Sequence, residues 1–363
     1  MVRVAHQGWF CQPAATALAR SVAAEPFRCT RSHCVSFPVE PGAGEVDERG
    51  LFVVQVPDIR ARVLPLFSFD PRRSSDRPIG HGTTFRIDPW SRCLTAYHVL
   101  EDLFEVDEAG TGAELRPDLR LAALEVEGTG FGLVGLRADA WRPLAGSYAL
   151  CGVEAPPFQT PRLRNLTELV VLRIRPATRT SEGTPYWPLD LRRWRPVRRE
   201  RVLALGFADL DVEEGSEERT ISQYLYGSLG EITDVEPADG ARGRPWPVIR
   251  VAAEWPGGMS GGPVFNELGH VIGVVSSGIA GGTGSATFFS GWNMAERIMG
   301  SIDPSNPGHF LCHGVFDNAG ELAYATQDAE QARRFAETRG LRDLAVVSID
   351  PHQDGWMRVN GRW

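Results

Sequence analysis

Ser260 lies in a segment whose composition is suited to presenting a hydroxyl group to a reactant. The stretch GGMSGGPVF, residues 257–265, places four glycines around this serine and ends in a proline and two apolar residues. Glycine lets the backbone turn sharply and come close to a bound group, because it has no Cβ. The segment is therefore either a tight turn with no chemical role or a turn that presents Ser260 to a substrate.

His98 is the histidine whose surroundings best suit a general base for Ser260. A serine hydroxyl is a poor nucleophile at neutral pH unless a neighbouring base takes its proton, and that base needs a third group to orient it. Among the eight histidines of the chain, His98 lies in CLTAYHVLEDL, where a strand-like run ends in small residues and leads into a short helix-like run. The other seven lie in contexts with no chemical signature.

Glu168 is the carboxylate that best suits the third, orienting position. In LTELVVLRI it directly precedes a strongly apolar strand-like run, where an ionised carboxylate without a partner is costly. Asp102, four residues after His98, is an alternative, although this spacing also suits a solvated helix face. Asp139 is a weaker alternative. The order of the three main candidates along the chain is His98, Glu168 and Ser260.

These segments, in this order, resemble those of the trypsin-like serine proteases of the chymotrypsin fold, and among them the bacterial intracellular type such as the high-temperature-requirement proteases. GHGTTFRI followed by LTAYHVL resembles the histidine segment, ELVVLRI the strand of the acidic residue, and GGMSGGPVFNELGHVIGVVSSG the serine segment. The resemblance covers roughly residues 75–300. It implies an all-β fold of two six-stranded antiparallel β-barrels with the site in the cleft between them. Many short strand-like runs separated by glycine and proline favour the same class.

The resemblance also implies the activity of a serine endopeptidase and a role for each site residue. Ser260 attacks the carbonyl of the peptide bond, His98 takes its proton and later gives it to the leaving amine, and Glu168 orients the imidazole. The backbone N–H groups of Gly258 and Ser260 form the oxyanion hole. No cofactor or metal is implied, and the expected partner is a protein or peptide substrate. The alternative function is a catalytically silent protease fold that acts as a binding module in a regulatory complex.

Four further residues are expected to contact the substrate because of the resemblance. The residue six places before the nucleophile is Glu254, at the floor of the pocket for the side chain that precedes the cut bond, which favours cleavage after arginine or lysine. Ser276, Ser277 and Gly278 are expected to pair with the substrate backbone and to form a pocket wall. In the alternative, EWPGG differs in length from the family, Glu254 points to solvent and Trp255 closes the pocket against large side chains.

Three positions depart from the family pattern. Glu168 stands where most relatives have aspartate, and the extra methylene changes the reach of the carboxylate to the imidazole. Met259 replaces the acidic residue that, in secreted relatives, pairs with a newly cut N-terminus, so activation by that charge pair is not expected. Val99 replaces a disulfide cysteine of those relatives, in agreement with a reducing compartment.

Composition argues against several classes of partner and site. The chain has 363 residues, 42% of them hydrophobic, and a net charge of -8, which argues against nucleic acid or an anionic membrane as the main partner. No run approaches the roughly 20 apolar residues of a transmembrane helix and no clear secretory segment is present, so a cytoplasmic location is expected. The six dispersed cysteines are unlike a disulfide scaffold. Zinc binding near Cys29 and Cys34 stays an open alternative, although their spacing matches no strong zinc pattern.

The strand-like pattern divides the chain into three regions. Residues 1–74 are an N-terminal extension of unknown role. The resemblance implies that residues 75–300 are the protease domain, with barrel one at about 75–190 and barrel two at about 200–300. Residues 301–363 are a C-terminal appendage in which one amphipathic helix, DAEQARRFAETRG, lies between two strand-like runs. Either terminal region is a candidate to bind a regulatory protein.

Overall fold

The structure is a computed structural model of the chain. The residues that it describes are 18–20, 37–70, 72, 78–87, 92–108, 110, 113–125, 140–158, 160–174, 185–187, 189–190, 194–210, 224–238, 244–276, 283–289, 301–306, 309–327, 329–349 and 356–359. They belong to two compact units. One spans Ser32–Trp187 and Pro196–Phe288, and the other spans Met1–Arg31, Pro188–Arg195 and Phe289–Trp363.

The fold of both units consists mainly of strands, with two short 3-10 turns, Tyr97–Val99 and Glu101–Leu103, after the fifth strand. In chain order the strands and helices are β1 (Leu18–Arg20), β2 (Leu51–Val53), α1 (Pro57–Arg60), β3 (Val63–Phe69), β4 (Ile79–Arg86), β5 (Arg92–Ala96), β6 (Phe104–Val106), β7 (Ala113–Leu115), β8 (Arg120–Leu124), β9 (Trp141–Glu154), β10 (Arg162–Ile174), β11 (Arg201–Gly206), β12 (Tyr226–Glu236), β13 (Val248–Val251), β14 (Pro263–Asn266), β15 (Val271–Val275), β16 (Gly284–Phe288), β17 (Ser301–Ile302), β18 (Phe310–Phe316), β19 (Leu322–Thr326), α2 (Ala329–Arg339), β20 (Asp343–Ile349) and β21 (Trp356–Arg358).

Barrel one is a closed sheet of six antiparallel strands, in the order β10, β5, β4, β3, β8 and β9. Its strands carry large apolar side chains that pack inward, as a sheet with one buried face requires. Leu66, Phe67, Phe85, Leu94 and Leu172 are completely buried in it. Side chains of this size fill the interior of a six-stranded barrel, so barrel one is a packed core and not a pore.

Barrel two is a second closed antiparallel sheet, in which β11, β14, β15, β16, β13 and β12 follow one another and β12 pairs again with β11. β2 adds to the outer side of β12 as a seventh strand. Val202, Leu203, Val264, Phe265 and Val274 are completely buried in this barrel. The two six-stranded barrels confirm the all-β, chymotrypsin-like fold class that the sequence predicts.

Two strands of the barrels come from the region that the sequence pattern assigns to an N-terminal extension. β3 lies before residue 75 and completes barrel one through its pairing with β4 and β8, while β2 pairs with β12 in barrel two. The polar segment RRSSDR separates β3 from β4 in the sequence. A polar connection within one barrel has the same composition as a link between domains, so composition alone did not separate the two.

The second unit contains a separate antiparallel sheet of six strands. The strands β1, β21, β20, β18 and β17 follow one another, and β19 pairs with β18. α2 occupies the segment predicted as an amphipathic helix, and its Ala332 and Ala336 pack with Val315 and Tyr324 of the sheet. Gly340, with a φ of 64°, ends this helix. Within the part of the chain that the structure describes, no helix has the length and apolar character needed to cross a membrane.

Candidate active site

His98 and Glu168 form the best-defined polar pair of the predicted site. Nδ1 of the imidazole lies 2.6 Å from Oε1 of the carboxylate. His98 belongs to the 3-10 turn that directly follows β5, and Glu168 lies in β10, which pairs with β5 through Leu169 and Ala96. The pairing of these strands therefore brings two residues together that are far apart in the sequence. An imidazole that donates from Nδ1 to a carboxylate has Nε2 free to accept a proton.

The carboxylate of Glu168 is buried, with 4% exposure, and its backbone has a φ of 60°. Oδ1 of Asn165 accepts hydrogen bonds from the backbone N–H groups of Thr167 and Glu168, at 2.8 and 2.7 Å. These two bonds fix the backbone where the pairing of β9 and β10 is irregular. Oγ of Ser276 donates to Oε1 of Glu168 at 3.1 Å. Two donors, from His98 and Ser276, therefore satisfy this buried carboxylate oxygen.

The structure distinguishes Glu168 from Asp102, the alternative carboxylate that lies within the described residues. Asp102 lies on the 3-10 turn Glu101–Leu103 and is exposed, which fits the solvated helix face that its spacing also suggested. The sequence signal for Ser276 indicated a substrate contact, whereas its side chain contacts Glu168. Asn165 was not singled out, because its action on the backbone of β10 depends on a bulge that no short motif reveals.

Ser260 lies on the turn between β13 and β14, against strand β4 of barrel one. The N–H of Thr83 donates to the carbonyl of Ser260 at 2.8 Å. A Cβ added to Gly82 would lie 2.8 Å from this same carbonyl oxygen and 3.0 Å from Cγ1 of Val99. Ser260 and Val99 therefore flank one glycine of β4. Because Val99 follows His98 directly, the turn brings the predicted nucleophile to the end of barrel one where the histidine lies.

The turn around Ser260 leaves two backbone donors unused. The N–H groups of Met259, Gly261 and Gly262 donate to backbone carbonyls at 3.2, 2.8 and 3.0 Å. The N–H groups of Gly258 and Ser260, in contrast, have no acceptor among the residues that the structure describes. Two unused donors on alternate residues of one tight turn are the arrangement that an oxyanion hole requires.

Glycine is required at two positions of this turn. Gly258 and Gly261 have φ values of 88° and 84°, which residues with a Cβ rarely adopt. A Cβ on Gly261 would lie 2.1 Å from Oγ1 of Thr95 and 2.3 Å from the carbonyl of Thr83. A Cβ on Gly258 would lie 2.3 Å from the carbonyl of Phe207. The glycines thus allow the turn to pack directly against both barrels.

Glu254 is exposed in the structure, which contradicts the expectation of a carboxylate at the floor of a deep pocket. The neighbouring Trp255 is 6% exposed, and a Cβ on Gly284 would lie 2.6 Å from its ring. The reason is a local turn after β13, in which the N–H of Ala253 donates to the carbonyl of Val251 at 2.9 Å. This turn gives the inward position to Trp255 and the exposed position to Glu254, while the closing of a substrate pocket by Trp255 stays a prediction.

A cavity of about 420 Å³ adjoins the histidine and its carboxylate. Tyr97, Trp246 and Val248 contribute to its wall together with His98 and Glu168. The side chain of His98 keeps 28% exposure. The imidazole is therefore accessible to a ligand, while the carboxylate behind it is shielded from water.

Burial keeps two further side chains near the site in their neutral forms. It raises the pKa of the Cys151 thiol to about 11, and it also raises the pKa of the Tyr97 hydroxyl, which is hydrogen-bonded to that thiol. Both groups are therefore protonated at neutral pH. Since the thiolate is the nucleophilic form of cysteine, Cys151 is not a competing nucleophile beside His98.

Several residues singled out in the sequence lie outside the described part of the chain: Ser277, Gly278, Asp139, Cys29 and Cys34. Their predicted roles stay predictions. Among the residues that the structure does describe, no group of three or more histidine, cysteine, aspartate or glutamate side chains is arranged to hold a metal ion.

Comparison with known proteins identifies one family model that matches this chain. The model of the family described as the trypsin-like peptidase domain matches residues 82–274, more than half of the chain. No curated protein matches. Among solved structures, the crystal structure of Deg5 is similar, with 16% identity and a TM-score of 0.37 over 64% of this chain and 85% of that chain. His98, Glu168 and Ser260 lie within the matched range, although the match assigns no role to any of them, and the chain belongs to the trypsin-like peptidase domain family of serine proteases.

Proposed function

We propose that the protein is a serine endopeptidase that hydrolyses peptide bonds through an acyl-enzyme intermediate. The observation that carries the proposal is the 2.6 Å contact between Nδ1 of His98 and the buried carboxylate of Glu168. A histidine oriented in this way has Nε2 available as a base. We assign the nucleophile to Ser260 on the glycine-rich turn, because GGMSGGPVF resembles the serine segment of the family.

The proposed reaction has two steps, formation of the acyl-enzyme and its hydrolysis. Oγ of Ser260 bonds to the carbonyl carbon while its proton passes to Nε2 of His98. The carbonyl oxygen becomes an oxyanion, which accepts hydrogen bonds from the N–H groups of Gly258 and Ser260. The C–N bond then breaks, and the amine leaves with the proton from His98. A water molecule attacks the acyl-enzyme by the same path, releases the acid and restores the Ser260 hydroxyl.

Glu168 contributes to this reaction through its charge. The imidazole of His98 becomes positively charged when it takes the serine proton, and a buried carboxylate stabilises that cation more than water would. Ser276 donates to the same carboxylate oxygen, so it holds Glu168 in the orientation that faces the imidazole. The backbone of Glu168 is left-handed, with a φ of 60°.

We further propose that the enzyme prefers a small side chain before the cut bond. Trp255, and not Glu254, points inward, and its ring lies directly against Gly284. A large ring at the expected floor of the substrate pocket leaves little room for a long substrate side chain. Because Glu254 is exposed, the pocket also has no buried charge from this residue that would recognise arginine or lysine. A peptide library profiled on Trp255→Leu should show cleavage after larger apolar residues, while the matched Glu254→Gln should retain the preference of the parent.

The proposed activity is tested by hydrolysis of fluorescently labelled casein. The parent should release fluorescence, and Ser260→Ala and His98→Ala should each reduce the rate to background, since each removes one partner of the proton transfer. Thermal unfolding of the three proteins provides the control. Both variants should melt within a few degrees of the parent, because neither side chain is part of the barrel cores. Activity retained in Ser260→Ala would contradict the proposal and would favour the binding-module alternative.

A further inference from the structure

Residues 47–54 precede barrel one in the sequence but form part of barrel two. They contain β2, which pairs with β12 from Leu51 to Val53. Leu51 is 1% exposed and Phe52 is 2% exposed, and a Cβ added to Gly227 would lie 2.3 Å from the ring of Phe52. The segment is therefore fixed to barrel two by backbone pairing and by buried apolar side chains.

A turn at the start of this segment positions Arg49. Oδ1 of Asp47 accepts hydrogen bonds from the backbone N–H groups of Arg49 and Leu51, at 2.9 and 2.8 Å. The N–H of Gly50 donates to the Asp47 carbonyl at 3.0 Å. From this turn, Nη1 of Arg49 donates to Oδ2 of Asp209 at 2.6 Å. This bond is the main reason why the pKa of Arg49 is raised above its usual value.

Asp209 in turn contacts the turn that precedes Ser260. Its backbone is left-handed, with a φ of 55°, and its N–H donates to the carbonyl of Gly257 at 2.8 Å. A Cβ on Gly258 would lie 3.4 Å from the Asp209 nitrogen. The position of the Gly257–Gly258 peptide therefore depends directly on the conformation of Asp209, and the N–H of that peptide is one of the two unused donors.

We propose that Arg49 is a positioning residue for the oxyanion hole. Through its ion pair it holds Asp209 in the left-handed conformation, and Asp209 then fixes the Gly257 carbonyl so that the Gly258 N–H points into the cleft. The proposal rests on the proposed endopeptidase function. It gives residues 47–54 a role in catalysis that their distance in sequence from Ser260 does not suggest.

The expected effect is larger on the rate than on stability. The side chains of Arg49 and Asp209 are 33% and 37% exposed, and ion pairs with this exposure contribute little to the free energy of folding. A single oxyanion-hole donor, in contrast, contributes about 10²–10³-fold to the rate. A donor that is present but displaced loses part of that factor, because catalysis depends on its position relative to the oxyanion.

Arg49→Met tests the proposal, since it keeps an unbranched apolar stem and removes the charge. Arg198→Met is the matched control, because Arg198 makes a 2.6 Å ion pair with Asp234 on the surface of the same barrel. The second-order rate of labelling by a fluorophosphonate probe should fall roughly 10-fold in Arg49→Met and less than 2-fold in Arg198→Met. On labelled casein, kcat should fall by a similar factor while KM changes less than about 3-fold.

Two further variants separate positioning from general stability. Arg49→Lys should recover at least part of the labelling rate, since it restores a cation opposite Asp209. Arg49→Met combined with Asp209→Asn should be no slower than the slower single variant, because both changes break the same link. Melting temperatures of Arg49→Met and Arg198→Met should agree within about 2 °C.

The outcomes distinguish this inference from the function on which it rests. A parent that is labelled at Ser260, together with an Arg49→Met variant that is labelled equally fast, overturns the inference and leaves the endopeptidase function standing. The inference is also overturned if the rate of Arg49→Met falls only in proportion to a loss of folded protein. A parent without Ser260-dependent labelling or casein hydrolysis overturns both.

Discussion

Replacing Glu168 by glutamine removes a charge from the proposed site with almost no change in shape. Glutamine retains an oxygen that can accept hydrogen bonds from His98 and Ser276, so both hydrogen bonds are kept. The negative charge is lost because a neutral amide replaces the carboxylate. Glu168 is 4% exposed. For charges about 4 Å apart at an effective dielectric constant of about 20, the attraction to an imidazolium is roughly 4 kcal/mol. At about 1.4 kcal/mol for each factor of ten, Glu168→Gln should be slower by about 10³-fold.

The assay is kcat/KM on labelled casein together with the rate of fluorophosphonate labelling, at the same pH for parent and variants. Asp102→Asn is the matched control, because Asp102 is an exposed carboxylate on the turn after His98 and its loss should change the rate less than 2-fold. Circular dichroism should show that both variants are folded. A Glu168→Gln rate within about 5-fold of the parent, or a large loss in Asp102→Asn, would refute the assignment of the orienting carboxylate.

Two further predictions follow from contacts near the site. Gly261→Ala should lower the free energy of unfolding by at least about 2 kcal/mol in urea titrations, because its Cβ would overlap Thr95 and its φ is positive. The control is Gly257→Ala, whose Cβ would meet no atom within 4 Å and whose φ is not positive, so this variant should unfold like the parent. Equal stability of the two variants would contradict the turn geometry. Alkylation of Cys151 by iodoacetamide at pH 8, followed by peptide mass mapping, should be roughly 10-fold slower in the native protein than in urea. Burial raises the pKa of this thiol to about 11, so the reactive thiolate is rarer, and its greater nucleophilicity offsets only part of that loss. Similar rates in the two states would contradict the raised pKa.

The sequence predicted the parts of this molecule that short motifs encode. The glycines around Ser260 are demanded by positive φ values and by contacts closer than a Cβ allows, so their clustering was visible without any structure. The charge of Glu168 beside an apolar strand was similarly informative, because a buried carboxylate needs partners. The strand-rich pattern predicted an all-β fold, and the resemblance to the protease family implied the two barrels.

The parts that the sequence left out depend on pairing between distant segments. The contact of Arg49 with Asp209 requires β2 to pair with β12, and neither arginine nor aspartate carries a local signal for it. The prediction put Glu254 at the floor of a pocket because counting residues back from Ser260 assumes a fixed loop length. The turn at Ala253 instead gives the inward position to Trp255 and the outward position to Glu254. The contribution of β3 to barrel one was hidden by the polar segment that follows it.

Fluorophosphonate labelling followed by intact-mass measurement tests the central claim most directly. A fluorophosphonate bonds to an activated serine oxygen with loss of fluoride, and it requires both the base and the oxyanion donors that the site is proposed to supply. We predict that the parent gains the mass of one phosphonyl group, that the modified peptide contains Ser260, and that Ser260→Ala gains none. An unmodified parent, or a label that remains in Ser260→Ala, would contradict the proposal that His98, Glu168 and Ser260 form a working catalytic triad.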